Sequence, residues 1–128
     1  MRPRVLLADD HALLVGAFEK LLAGDCDIVG QVNDGRALVA AAAKLQPDVI
    51  VLDISMPGMS GLEVASRLRS MGCKAAVVFL TIHDESDVIQ AANGVGGIGY
   101  VLKRWLASDL VVAVQEALAG RPFVSGTH

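Results

Sequence analysis

The sequence predicts an α/β fold, a parallel sheet covered by helices on both faces. Three observations carry that expectation. Short apolar runs alternate five times with longer amphipathic stretches, the pattern of repeated strand–helix units. The connections between them are short, so successive strands run parallel through right-handed crossovers. The central run, Val49-Ile50-Val51-Leu52, is apolar without alternation, as expected for a strand covered on both faces.

Strands are expected at roughly 4–8, 27–32, 48–53, 76–81 and 98–102, with helices between them. Val5-Leu6-Leu7-Ala8 forms the first strand, and Asp10 is placed to cap the helix that follows. In that helix Leu14, Phe18, Leu21 and Leu22 share one face. Asp34 caps a second, Ala-rich helix that ends before Pro47, because proline disfavours helical backbone in the residue preceding it. Ser60-Gly61-Leu62-Glu63 has the S-x-x-E form of a capping box and opens the third helix. Asp84 caps the fourth and Ser108 the fifth, in which Leu110, Val114 and Leu118 recur every four residues. Gly120 is placed to end that last helix. Residues 1–120 then form the domain, and residues 121–128, without periodicity, read as a tail or the start of a linker.

A chain of 128 residues, 53% hydrophobic and 20% charged, suits one well-packed globular domain. Its net charge of -3 and lack of a basic run argue against direct binding to nucleic acid, whose backbone demands a positive face. Cys26 and Cys73 have no metal-ligand spacing and read as reduced thiols. No apolar stretch reaches the ~18 residues of a membrane span. Met1-Arg2-Pro3-Arg4 leads into the first strand without a signal-peptide pattern. The expected location is the cytoplasm, with no membrane partner.

Polar residues suited to phosphate and metal stand where the strands end. Asp9 and Asp10 follow the first strand, Asp53 closes the third, Thr81 the fourth, and Lys103 follows the fifth. The carboxyl edge of an open parallel sheet is where such folds bind ligands. Singly, each has a structural reading: a helix cap, a β-branched strand residue, a solvated lysine. On one edge they make a site for phosphoryl chemistry. Asp53 would attack phosphorus in line to form an acyl phosphate. Asp9, Asp10 and Asp53, with the backbone carbonyl of Ser55, would hold Mg²⁺, which prefers oxygen ligands. Lys103 would neutralise the phosphoryl oxygens, and the Thr81 hydroxyl would donate to one of them. Three clustered carboxylates repel one another unless a cation lies among them. With one lysine they leave two negative charges, which Mg²⁺ would cancel.

These segments resemble the receiver domains of bacterial two-component response regulators. The resemblance rests on Val5-Leu6-Leu7-Ala8-Asp9-Asp10-His11, on Val51-Leu52-Asp53-Ile54-Ser55-Met56-Pro57-Gly58-Met59-Ser60-Gly61, on Leu80-Thr81, and on Gly99-Tyr100-Val101-Leu102-Lys103. It covers about residues 4–120 and is nearest to the NarL/FixJ-type branch. It implies a flavodoxin-like (βα)₅ three-layer sandwich of strand order 2-1-3-4-5. It further implies phosphotransfer from a sensor histidine kinase to Asp53, with Mg²⁺ on Asp9 and Asp10, and a non-enzymatic switch with only slow loss of its own phosphoryl group. In that family the strand-four Thr and an aromatic three residues before the Lys, here Thr81 and Tyr100, form a switch that repacks the face of helix four, strand five and helix five. Ser55 and His83 occupy positions that tune dephosphorylation. Such regulators usually continue into a DNA-binding output domain, so DNA would be reached only through a segment outside this chain. Dimerisation through helices four and five, or one and five, is left open by the sequence.

Two departures from the family pattern stand out. Lys103 is followed by Arg104, where many receivers have Pro, which puts a cis peptide there in question. Gly94, Gly96, Gly97 and Gly99 crowd the approach to the fifth strand and should loosen the end of the fourth helix, since glycine raises the entropy lost on ordering. These glycines also spell G-x-G-x-x-G, but they precede a strand, whereas a dinucleotide fingerprint must follow one. The alternatives to a receiver with an output domain are a single-domain regulator acting by protein contact and a Mg²⁺-dependent aspartyl phosphatase of the haloacid-dehalogenase type. The latter resembles D-x-D, whereas this chain has Asp53-Ile54-Ser55.

Overall fold

Alternation along each strand sorts the apolar side chains onto two sides of a sheet. The computed structural model describes residues 2–9, 12–54, 61–81 and 97–124. Its elements are β1 (Arg4–Ala8), α1 (Ala12–Leu22), β2 (Asp27–Val32), α2 (Gly35–Leu45), β3 (Val49–Asp53), α3 (Gly61–Ser70), β4 (Ala76–Thr81) and β5 (Gly97–Leu102), then a 3₁₀ turn (Lys103–Trp105), a C-terminal helix (Leu106–Leu118) and β6 (Phe123–Val124). All neighbouring strands pair in parallel. The sheet order is β2-β1-β3-β4-β5-β6, the flavodoxin-like order 2-1-3-4-5 with one strand added. The sequence pattern predicts five strands; Phe123–Val124 add a sixth.

Val5, Leu7, Val49, Val51, Val78, Leu80 and Val101 face α1 and the C-terminal helix, with Phe18, Leu22, Leu110 and Val114. Leu6, Ala8, Ile50, Leu52, Phe79, Tyr100 and Leu102 face α2 and α3, with Leu38, Ala42, Val64 and Leu68. These two apolar layers hold the three-layer sandwich together. Full burial of one side chain such as Phe79 contributes roughly 1.5–3 kcal/mol.

Asp34 caps α2, its Oδ1 accepting from the Ala37 N–H at 2.8 Å. Gln46, the residue before Pro47, leaves the helix at φ 48°. Gly120, at φ +78°, ends the C-terminal helix. There the Gly120 N–H donates to Ala117 O at 3.0 Å and the Arg121 N–H to Glu116 O at 2.8 Å, the paired bonds of a Schellman stop. The Arg121 guanidinium also grips the Glu116 carboxylate at 2.6 and 3.1 Å. That hydrogen bond holds the Glu116 carboxyl below its ordinary range.

Two expectations for the last helix need correction. Ser108 does not cap it. The chain turns helical immediately after β5 through the 3₁₀ turn, so Ser108 falls inside the helix and its hydroxyl lies 3.1 Å from Trp105 O and 3.0 Å from Asp109 Oδ1. Leu118 is exposed, and Ala117 takes the core position. A repeat of four overshoots the helical turn by about 40° each time, so the third residue has rotated off the buried face. The proposed caps Asp10, Ser60 and Asp84, and the whole fourth helix, lie outside the described residues, as does the side chain of Leu14.

Candidate functional site

β1 and β3 are neighbours in register, Ala8 opposite Leu52. The residue after each paired position is therefore an aspartate at the same sheet edge. Each is fixed by backbone bonds just beyond the regular ladder. The Asp9 N–H donates to Val32 O at 3.1 Å, and the Ile54 N–H, following Asp53, donates to Leu80 O at 3.0 Å. Both carboxylates are buried, as is Thr81 at the end of β4. Thr81 pairs with Leu102, which delivers Lys103 to the same edge one residue later.

Lys103 closes the group. Its Nζ donates to Asp53 Oδ2 at 3.1 Å and lies 3.2 Å from Asp9 Oδ2. The lysine side chain is 9% exposed, and the two carboxylates 1% and 0%. Buried charges demand this pairing, since desolvation of an isolated carboxylate costs several kcal/mol or more. Among the described residues, one ammonium faces two carboxylates. The contact to Asp9 Oδ2 is an ion pair without hydrogen-bond alignment. A buried, hard-oxygen donor set with residual negative charge fits Mg²⁺.

The structure thus brings together Asp9, Asp53 and Lys103, with Thr81 on the adjoining strand. Tyr100 is 3% exposed and packs with Phe79 and Leu102 on the α2/α3 side. Thr81 shares that face by alternation from Phe79. Asp10, Ser55 and His83 lie outside the described residues. The Lys103–Arg104 peptide is trans. Gly99 has a packing role. A Cβ there would meet Val78 Cγ2 at 2.9 Å, so β5 approaches β4 too closely for a side chain. Gly94 and Gly96 lie outside the described residues. Both cysteines are free, and burial pushes the Cys26 thiol up. No helix among the described residues is long and apolar enough to cross a membrane. Sequence reading missed the Val124 contact with the Tyr100 cluster, because a two-residue apolar pair carries no periodicity.

Comparison with known proteins agrees with this fold. The family model of the response regulator receiver domain matches residues 5–115. The nitrate/nitrite response regulator protein NarL of Escherichia coli K12 is 34% identical over 123 residues, 94% of this chain and 57% of that protein. The signal receiver domain of NarL from Mycobacterium tuberculosis superposes with a TM-score of 0.89 at 34% identity, covering 94% of this chain and 98% of that one. The isolated REC domain of RcsB from Salmonella enterica serovar Typhimurium, solved with the phosphomimetic BeF₃⁻, gives a TM-score of 0.89 at 25% identity, covering 98% and 95%. The chain spans little more than half the length of the curated relatives it matches.

Proposed function

Because the chain belongs to the response regulator receiver-domain family, we propose that it is a phosphorylation-operated switch whose phosphoacceptor is Asp53. The observation that carries this reading is the buried cluster in which Lys103 Nζ sits 3.1 Å from Asp53 and 3.2 Å from Asp9. A sensor histidine kinase is the donor. An Asp53 carboxylate oxygen attacks phosphorus as the bond from phosphorus to the donor's imidazole nitrogen breaks, and that nitrogen keeps the electron pair. Lys103 follows the charge onto the phosphoryl oxygens, and the Thr81 hydroxyl donates to one of them. Asp9 and Asp53, with Asp10 and the Ser55 carbonyl, are the residues that would hold Mg²⁺. Bound there, Mg²⁺ supplies charge neutralisation for an anionic donor.

Thr81 and Tyr100 form the proposed switch. Movement of the Thr81 hydroxyl toward the phosphoryl group vacates space that favours an inward Tyr100 ring, biasing the β5 face between two packings. Ser55 and His83 would tune the lifetime of the phosphoryl group. The chain is a switch, with no turnover beyond its own phosphotransfer and slow dephosphorylation. Relatives named as transcriptional regulators support control of transcription, with DNA contacted through an output domain that is not in this chain and the segment from residue 121, which docks Phe123–Val124 as β6, leading toward it. Self-association accompanies that reading, and the cytoplasm is the proposed compartment.

Incubation with Mg²⁺ and acetyl phosphate, followed by intact mass measurement, tests the assignment. Wild type should gain one phosphoryl group, and Asp53→Asn none. A gain that persists in the variant rules out Asp53. Steady phosphate release from a generic phosphomonoester would instead support the aspartyl phosphatase.

A further inference from the structure

Four residues line up across one face of the sheet from the candidate site to its β6 edge. Thr81 ends β4 on the face of Phe79; Phe79 is the register partner of Tyr100, and Tyr100 of Val124. Val124 packs against the apolar cluster that contains Phe79, Tyr100 and Leu102. Its neighbour Phe123 packs against the cluster on the opposite side. β6 therefore grips the β5 edge from both faces with two residues. The turn that delivers it is built for the purpose, with Gly120 at φ +78° and Arg121 bound twice to Glu116, through the backbone and the guanidinium.

A two-residue strand at a sheet edge has little stability of its own and opens with a small free energy. Its docking depends on the surface that β5 offers, and Tyr100 is the largest side chain of that surface on the Val124 side. We propose that β6 is a strap whose docking follows the position of Tyr100, so that phosphorylation of Asp53 tightens the segment leaving the C-terminal helix. The proposal rests on the switch reading above, in which the phosphoryl group favours an inward ring. The buried ring is the packing that Val124 covers in this structure. By linkage the coupling is reciprocal: a docked strap favours the inward ring.

Hydrogen exchange at the Phe123 and Val124 amides, read by mass spectrometry, tests the strap. One sample carries Mg²⁺ and acetyl phosphate, the other Mg²⁺ alone, and intact mass is taken from both. In the phosphorylated sample exchange should slow roughly fivefold or more, the low end of typical coupling between sites. Unchanged or faster exchange in a sample whose mass shows the phosphoryl group overturns the strap. Absence of the mass gain overturns the phosphoacceptor reading instead, and a second arm without phosphodonor then decides the strap. There Tyr100→Ala should speed exchange at Phe123 and Val124 by about fivefold or more, with β1 amides unchanged, while Tyr100→Phe keeps the wild-type rate. Equal rates in all three proteins refute the proposal. Should Tyr100→Ala fail to fold, Tyr100→Leu removes the ring while keeping apolar bulk and is read the same way.

Discussion

At 9% side-chain exposure, Lys103 holds its ammonium between the carboxylates of Asp9 and Asp53. Lys103→Met would keep the apolar stem and leave two buried negative charges facing each other. Loss of one partner from a buried pair typically costs about 3–5 kcal/mol, and the low end is expected at the rim of a sheet. Urea unfolding in chelator should show that loss, and added Mg²⁺ should restore part of it by replacing the missing positive charge. Equal stability of variant and wild type in chelator would mean that the ion pairs carry no net energy. Each of these residues is visible in the sequence as a strand-end polar residue. That Lys103 reaches both carboxylates is not visible there, because Asp9 and Lys103 are brought together only by the order of the strands.

Elements behave as their local signals predict where the signal is a backbone requirement. Asp34 caps α2 and Gly120 stops the C-terminal helix, as their residue types demand. Ser108 fails as a cap because the chain is drawn into helix earlier, burying Leu106. The two arginines at the amino terminus were unreadable as structural groups. Arg2 donates to the carbonyls of Ala23 and Cys26 in the turn after α1, and Arg4 to that of Leu45 at the end of α2 at 2.6 Å, satisfying backbone carbonyls across long sequence separations. Glycine shows the same limit. The register slips by one residue in both β2 and β5, and Gly30 and Gly99 each follow the extra residue. Gly99→Ala would push a methyl group to 2.9 Å from Val78 Cγ2. It should cost about 1–3 kcal/mol by overpacking, measured by chemical denaturation. A Val78→Ala change in the same chain should recover part of the cost, whereas simple additivity of the two losses would contradict the contact.

Over the whole molecule, two apolar layers share one sheet, each strand from β1 to β5 contributing to both except where glycine intervenes. Such a core has no boundary at which half of it could melt alone. Trp105 is the single tryptophan, exposed at 44% beside Lys103, so its fluorescence reports the site edge while far-ultraviolet circular dichroism reports the helices. The two probes should give coincident urea transitions, the behaviour of a single cooperative domain of this size. Separate midpoints would show that the site edge unfolds independently of the core. The strap is the edge strand of this sheet, beside β5, where local opening is cheapest, so exchange there can change without loss of the global fold.

The alternation of strands and helices, the parallel sheet, and the identity of the polar residues at its carboxyl edge are all legible along the chain. Those features follow from short-range periodicity and from the few residue types that can cap, stop or ligate. Tertiary structure alone decided that Lys103 bridges Asp9 and Asp53, that Gly99 serves close packing against Val78, and that Phe123–Val124 extend the sheet beside Tyr100. Each is a contact between segments distant along the chain, and no local pattern encodes which segments meet.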